Sequence, residues 1–306
     1  MSSHRTMVFS SSSYLALAQV VARELDAEMG NIECRPFPDG ETYHRILTRP
    51  DGCHCVLVGG TISDRETLEI YDLASGLVAG GARRLTLVIP FLGYSTMERA
   101  VKRGEVVTAK TRARMFSSIP IAAEGNRALL FDVHSEGLPY YFEGSLNARH
   151  AYAKTMILGA IRDLADHCVL GCTDAGRAKW VESLALELGC PMAVVLKRRD
   201  ENGTVVAGIN AKVDDEIVVI YDDMVRTGGS LTGAAQVYRD AGARAVYAVC
   251  THGLFPGDAL REIRDTGLID RVVCTNSHPR ATELANEFLD VRCVGTLLAE
   301  RLREVH

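Results

Sequence analysis

Short apolar runs alternate along this chain with helix-length amphipathic segments. The runs are Cys55–Gly60 (CVLVGG), Leu85–Phe91 (LTLVIPF), Ala128–His134 (ALLFDVH), Met192–Arg198 (MAVVLKR), Ile217–Asp223 (IVVIYDD) and Ala245–Gly253 (AVYAVCTHG). Between and beside them, Ser13–Leu25, Arg65–Gly81, Ala109–Ile119, Gly176–Gly189 and Ser230–Gly242 carry apolar residues at helical spacing. Strands apolar at successive positions are buried on both faces. Helices between them supply that cover, so the pattern predicts an α/β protein with mainly parallel sheets.

A length of 306 residues is enough for two domains of ordinary size. The formal net charge of −5 disfavours general binding of nucleic acid. The first residues, MSSHRTMVFSSSSYLALAQVVARELDA, have an interrupted apolar part followed at once by acids, which makes a poor signal peptide. Without an apolar run of about 18 residues, no membrane span is expected. Nine cysteines, an odd number without framework spacing, suggest a reducing cytoplasmic compartment. Cys53 and Cys55 lie two apart and would point to opposite faces of a strand. That is poor geometry for chelation, so they are read as structural.

One internal echo stands out. Ala79–Gly93 (AGGARRLTLVIPFLG) and Ala241–Phe255 (AGARAVYAVCTHGLF) both read as helix end, glycine turn and buried strand. Generic αβ grammar explains this, and so do two domains of one topology. The softest boundary lies near Asn147–Ala153.

The stretch IVVIYDDMVRTGGSLTGAA (Ile217–Ala235) has the strongest chemical content. In open α/β sheets, ligands bind beyond the carboxyl ends of strands. Asp222 and Asp223 end such a strand, and Arg226, Thr227, Gly228, Gly229 and Ser230 turn into a helix. Glycines allow close backbone approach, and the N–H groups of a helix start favour an anion. This is a phosphate cradle, although neither a Walker A loop nor GxGxxG. Carboxylates beside a phosphate need other partners, and sugar hydroxyls or Mg²⁺ fit. A phosphorylated sugar is the expected ligand.

This stretch resembles the phosphoribosyl pyrophosphate motif shared by type I phosphoribosyltransferases and ribose-phosphate diphosphokinases. Other segments single out the diphosphokinases. FPDGETYHRI (Phe37–Ile46) is similar to their adenine loop, and FDVHSEGLPYYFEG (Phe131–Gly144) to their Asp-x-His metal and phosphate segment. TDAGRAKW (Thr173–Trp180) is similar to their ribose segment, and VVLKRRDENGTV (Val194–Val205) to their catalytic Lys-x-Arg loop. THGLFPG (Thr251–Gly257) also matches. The resemblance implies two similar type I phosphoribosyltransferase-like domains, each a mainly parallel sheet flanked by helices. They are expected at 1–147 and 148–306, with the last helix returning to the first domain.

The resemblance further implies transfer of the diphosphoryl group of MgATP to the anomeric hydroxyl of ribose 5-phosphate. Lys197 and Arg199 would be catalytic. ATP would be held by Phe37, Asp39, Glu41, Thr96, Met97, Glu98, Arg99 and His134. The ribose phosphate would be held by Asp174, Asp222, Asp223, Arg226, Thr227, Gly228, Gly229 and Ser230. The Mg²⁺ cofactor would lie near His134 and Asp174. The expected partners are these two substrates and further copies of the chain, as a homodimer or homohexamer. In the family the adenine loop reaches a neighbouring subunit's site.

Two departures from the common family form matter. Thr96 and Met97 replace its Arg-Gln pair, and Arg226 stands where Asp is usual. Both are closer to class II diphosphokinases, which are released from phosphate dependence and strict ADP inhibition. Arg226 would also suit a larger anionic acceptor such as ADP-ribose. A regulatory paralogue without catalysis is a further alternative, against which the retained acids, His134, Lys197 and Arg199 weigh.

Overall fold

The computed structural model describes residues 5–173, 175–200 and 203–304, with the backbone alone at 175, 196–200 and 203–207. The chain divides into two compact units, Met1–Tyr152 with Cys293–His306, and Ala153–Arg292.

The first unit runs β1 (Thr6–Ser10), α1 (Leu15–Glu24), β2 (Glu28–Met29), β3 (Ile32–Pro36), β4 (Thr42–Ile46), β5 (His54–Val58), α2 (Asp64–Ala79), β6 (Arg84–Ile89), α3 (Thr108–Ser117), β7 (Asn126–Phe131) and β8 (Leu146–Ala151). Its sheet has the order β2-β1-β5-β6-β7-β8 and is parallel throughout. Every residue of β5 is buried, as expected of a strand covered on both faces. Phe9, Leu57, Ile70, Leu73, Leu87, Phe116 and Leu130 form much of one core. Ser63 Oγ caps α2 by accepting from the Glu66 N–H at 3.2 Å, and Asp64 and Glu66 complement the helix dipole. Strands β3 and β4 form a separate antiparallel hairpin, with Ile32 and Ile46 packed against the core.

The C-terminal helix (Gly295–Glu304) belongs to this first unit and packs on α1. Leu298, Ala299 and Leu302 are buried in it, and the Arg303 guanidinium donates to the Glu24 carbonyl.

The second unit runs α4 (Lys154–Leu164), β9 (Val169–Cys172), α5 (Ala178–Leu188), β10 (Met192–Asp200), β11 (Gly203–Ile209), β12 (Ile217–Val225), α6 (Gly229–Asp240), β13 (Ala245–Gly253), α7 (Ala259–Asp265), β14 (Arg271–Thr275), α8 (Pro279–Leu284) and β15 (Leu289–Arg292). Its order is β11-β10-β9-β12-β13-β14-β15, parallel except for β11. The central strand β12 carries the two acids.

Apart from β11, the two sheets share one strand order, with β1 matching β9 and β5 through β8 matching β12 through β15. The echo between Ala79–Gly93 and Ala241–Phe255 is part of this shared topology. Gly81 (φ 95°) and Gly242 (φ 91°) both adopt a left-handed turn after a helix. A Cβ would lie 2.6 Å from Asp51 Oδ1 at the first and 2.5 Å from Asp214 Oδ1 at the second. The next ladder bonds match too, with the Arg83 N–H on the Cys53 carbonyl at 2.8 Å and the Arg244 N–H on the Glu216 carbonyl at 2.9 Å. Generic grammar would not repeat the same aspartate against the same glycine.

The expected boundary at 147 falls inside β8, which pairs with β7 along its length. The polar alternation of LNARHA hid that strand, because an edge strand needs less apolar surface than a central one.

Candidate active site

The acids at the end of β12 are packed, not solvated. Asp223 is buried and Asp222 half-buried. The Arg177 guanidinium, from the turn before α5, pairs with Asp223 and places Nε 3.7 Å from Asp222 Oδ1. Thr173 Oγ1 donates to Asp222 Oδ2 at 3.2 Å, and the Asp223 N–H donates to Asp222 Oδ1 at 2.9 Å. Burial first, and then the charge of Asp223, push the Asp222 carboxyl up to about 7, against the pull of Arg177 and Thr173. A carboxyl poised there changes charge near neutral pH. Reading the sequence singled out the segment containing Arg177 but not Arg177 itself. Its signal was a basic residue three positions after Asp174 in the sequence.

The turn after β12 has the geometry of an anion cradle. Gly228 sits at φ 80° and is the residue from which α6 starts, with its carbonyl accepting the Thr232 N–H at 2.8 Å. A Cβ there would lie 2.5 Å from Ile263 Cγ1 and would be strained by the positive φ. At Gly229 the space beyond the α carbon is open. Thr227, Gly229 and Ser230 are exposed at the helix start, so N–H and hydroxyl donors surround an accessible space. Arg226 is exposed beside them, with Nε 3.3 Å from Met224 Sδ.

The neighbouring strand ends add a buried polar layer. Tyr221 OH and Thr251 Oγ1 are 3.3 Å apart, and His252 Nδ1 lies 2.7 Å from Ser277 Oγ. Burial, His252 and Arg280 pull the His278 imidazole down to about 4. Satisfied neutral groups of this kind hold loops in place.

In the first unit the expected residues follow the ends of adjacent strands. Thr96, Met97, Glu98 and Arg99 follow β6, and His134 follows β7, which pairs with β6. The two segments meet where Tyr141 OH donates to the Glu98 carbonyl at 2.6 Å. Tyr94 (φ 61°) and Asp132 (φ 44°) are left-handed just beyond these strands, and Phe255 (φ 41°) repeats this beyond β13. Such strain concentrates at functional loops. Thr96, Met97 and Arg99 are exposed and His134 is half-buried. Arg112 of α3 donates to Asp64 at 2.7 Å and stacks on Tyr94.

Phe37, Asp39 and Glu41 form the exposed turn of the separate β3–β4 hairpin. The Phe37 N–H bonds the Glu41 carbonyl at 2.8 Å, and the Asp39 carboxylate takes the Glu41 N–H at 3.1 Å. Arg35 lies 5.3 Å from the Phe37 ring centre and 5.2 Å from that of Tyr43. The hairpin thus presents an aromatic and two acids to solvent at its turn.

Lys197 and Arg199 lie on β10 opposite Val206 and Thr204 of β11, in unbroken register after a shift at Leu196/Lys197. The segment likened to a catalytic loop is a strand pair there, continuing the strand expected at Met192–Arg198. Asp174 lies outside the described residues.

The donor chemistry fits a hard cation. Two carboxylates outweigh Arg177 when both are ionised, and carboxylate oxygens are natural Mg²⁺ ligands. The imidazole of His134 suits a phosphate oxygen or a metal-bound water better than Mg²⁺ itself.

Comparison with known proteins adds to this geometry. Residues 6–119 match the family described as the N-terminal domain of ribose phosphate pyrophosphokinase. Residues 174–306 match the phosphoribosyl synthetase-associated domain. The chain is 31% identical to a ribose-phosphate pyrophosphokinase of Synechococcus elongatus, over 99% of this chain and 91% of that protein. It is 30% identical to a protein of the same description from Corynebacterium efficiens, over 98% of this chain and 92% of that one. Its fold superposes on the crystal structure of phosphoribosylpyrophosphate synthetase from Mycobacterium smegmatis with a TM-score of 0.87, at 26% identity and 98% coverage of both chains.

Proposed function

The chain belongs to the ribose-phosphate pyrophosphokinase family, and from that premise we propose that it moves the diphosphoryl group of ATP onto ribose 5-phosphate. The anomeric hydroxyl attacks the β-phosphorus, the bond from that phosphorus to the α,β-bridging oxygen breaks, and AMP leaves. The product is phosphoribosyl pyrophosphate, and the hydroxyl proton is released.

The observation that carries this reading is the pair of half-buried Asp222 and buried Asp223 leading within one turn to the left-handed Gly228 and the start of α6. The acids suit the ribose hydroxyls, and Asp174 is assigned to the ribose phosphate with them. The 5-phosphate suits the N–H and hydroxyl groups of Thr227, Gly228, Gly229 and Ser230, and Arg226 adds positive charge at the rim. Phosphoryl transfer is catalysed mainly by positioning and charge neutralisation. Lys197 and Arg199 are the cations assigned to the transferring group. Thr96, Met97, Glu98, Arg99 and His134 are assigned to ATP, together with Phe37, Asp39 and Glu41 of the hairpin. Bound Mg²⁺ would neutralise the polyphosphate, and His134 and Asp174 are the residues assigned to it. The family resemblance implies that the hairpin serves a neighbouring subunit, so a homodimer or homohexamer is proposed.

The test is AMP release from ATP and Mg²⁺ in the presence of ribose 5-phosphate, with the second product identified by ³¹P NMR. One phosphoribosyl pyrophosphate per AMP is the expected result, with ADP-ribose inactive as acceptor. Failure of folded protein to make AMP from ribose 5-phosphate would overturn the reading. Light scattering should return the mass of two or six chains, and a monomer would count against the shared site.

A further inference from the structure

We propose that Cys34, His44 and Glu69 of the first unit form a binding site for a Zn²⁺-like divalent transition-metal ion, separate from the Mg²⁺ chemistry of the acid pair. One ligand atom from each of these three residues lies within 4.8 Å of the other two. Tetrahedral coordination at ordinary Zn–S, Zn–N and Zn–O lengths brings donors to about 3–4 Å from one another. Small side-chain rotations therefore close the site.

Three elements build it. Cys34 on β3 and His44 on β4 are direct cross-strand partners in the antiparallel hairpin. Opposed residues of such a pair share one face. Glu69 comes from α2, beneath the hairpin, and is only 5% exposed. Its Oε1 accepts from the Ser12 N–H at 2.7 Å and from Ser12 Oγ at 2.6 Å. These bonds fix the carboxylate and leave Oε2 to a ligand.

The imidazole supplies the second, independent observation. His44 Nε2 is buried and has no hydrogen-bond partner, an expensive arrangement for a nitrogen that readily binds metal. His44 Nδ1 faces Asp72 Oδ2 at 4.0 Å, one helical turn beyond Glu69. A carboxylate on the far nitrogen is the usual support of a metal-bound histidine. Cys34 and Glu69 also line a cavity of about 320 Å³, which leaves room for a water as fourth ligand. Ser11 Oγ on its wall is likewise buried without a partner and can hold that water.

A thiolate, an imidazole and a carboxylate select Zn²⁺ or a similar ion over Mg²⁺, which favours oxygen ligands alone. Binding releases the Cys34 thiol proton to solvent and forms the sulfur–metal bond. It also adds a link between the two-stranded hairpin and α2. Such hairpins are marginal alone, so the ion would stiffen the element whose turn carries Phe37, Asp39 and Glu41.

The test uses the full chain with Co²⁺ as a spectroscopic stand-in for Zn²⁺ and excess Mg²⁺ occupying hard-cation sites. Wild type should take up one equivalent with a thiolate-to-cobalt charge-transfer band and the intense visible bands of four-coordination. Zn²⁺ should displace it. Cys34→Ser should abolish the charge-transfer band, and Cys293→Ser, at an exposed thiol, should leave it unchanged. His44→Gln and Glu69→Gln should each weaken binding at least about tenfold, and Asp72→Asn by about ten- to a hundredfold. Circular dichroism establishes that each variant is folded. A charge-transfer band surviving in folded Cys34→Ser, or no uptake by wild type, would overturn the proposal. The readout is metal binding alone, so it stands or falls independently of diphosphoryl transfer.

Discussion

Asp223 donates its backbone N–H to the carboxylate of Asp222 at 2.9 Å while its own carboxylate is held by Arg177. One acid of the pair is thus strongly paired and the other carries the cost of burial, with its carboxyl pushed from 3.8 up to about 7. A carboxyl raised on folding binds its proton more tightly in the native state. Its contribution to stability is therefore fully present below the unfolded value of 3.8 and is lost as pH rises through about 7. Ligand binding runs the other way, because ribose hydroxyls and Mg²⁺ need the ionised form. Without ligands, thermal stability should fall between about pH 4 and about pH 7, and affinity for ribose 5-phosphate with Mg²⁺ should rise up to and through about pH 7. Asp222→Asn should flatten both dependences. Calorimetry across pH checks this, and an unchanged slope in Asp222→Asn would assign the titration to another group.

Adjacent glycines in the cradle should separate folding from binding. Gly228→Ala puts a side chain at φ 80° and against Ile263, so it should lose about 1–2 kcal/mol from the left-handed backbone alone, with the clash added. Gly229→Ala meets nothing within 4 Å and should leave the melting temperature nearly unchanged. A methyl at the helix start would still crowd a bound phosphate, so the KM for ribose 5-phosphate should rise. Melting curves beside steady-state kinetics distinguish the pair. Equal loss of stability in both would contradict the assigned geometry.

Lys197 and Arg199 stand two positions apart on β10, in continuous register with β11. Removal of a cation that stabilises transition-state charge costs on the order of 10²–10³ in kcat. Lys197→Ala and Arg199→Ala should each fall in that range, measured as AMP release, with the circular dichroism of wild type. Lys197→Arg keeps the charge but not the point-like geometry and should recover only part of the rate. Wild-type kcat in both alanine variants would remove these residues from catalysis.

What was legible in the sequence followed from burial. The central strands β5, β6, β12 and β13 are apolar along most of their length because both faces are covered, so each shows as an unbroken run. Strands β8 and β15 show half-buried or exposed positions, and β9 has only four residues, so these left weaker signals. The acids and glycines of the β12 turn were legible because their chemistry is local to nine residues. The Cys34–His44–Glu69 cluster was not. Its hairpin members are ten positions apart, and only antiparallel register places them side by side above a helix that starts at Asp64. Arg177 escaped for a related reason, since its partners are brought to it by β9 and β12 pairing in the sheet.

The return of the last helix to the first unit makes a prediction about truncation. Helix Gly295–Glu304 packs on α1 with Leu298, Ala299 and Leu302 buried, and Arg303 closes the end of α1 by donating to the Glu24 carbonyl. Gly295 fits closely there, since a Cβ would lie 2.9 Å from Val20 Cβ. Gly295→Val should therefore force the helix away from α1 at a cost of about 1–3 kcal/mol. Deletion of 293–306 should expose Val20 of α1, which Gly295 packs against, and should loosen the unit formed by Met1–Tyr152. The second unit, with its own core around Ile220, Tyr238 and Val246, should keep its protection. Hydrogen exchange on the truncated chain separates these outcomes. Faster exchange in β1, β5 and α1 with β12 and β13 unchanged is expected, whereas equal loss in both units would mean that their stabilities are not independent.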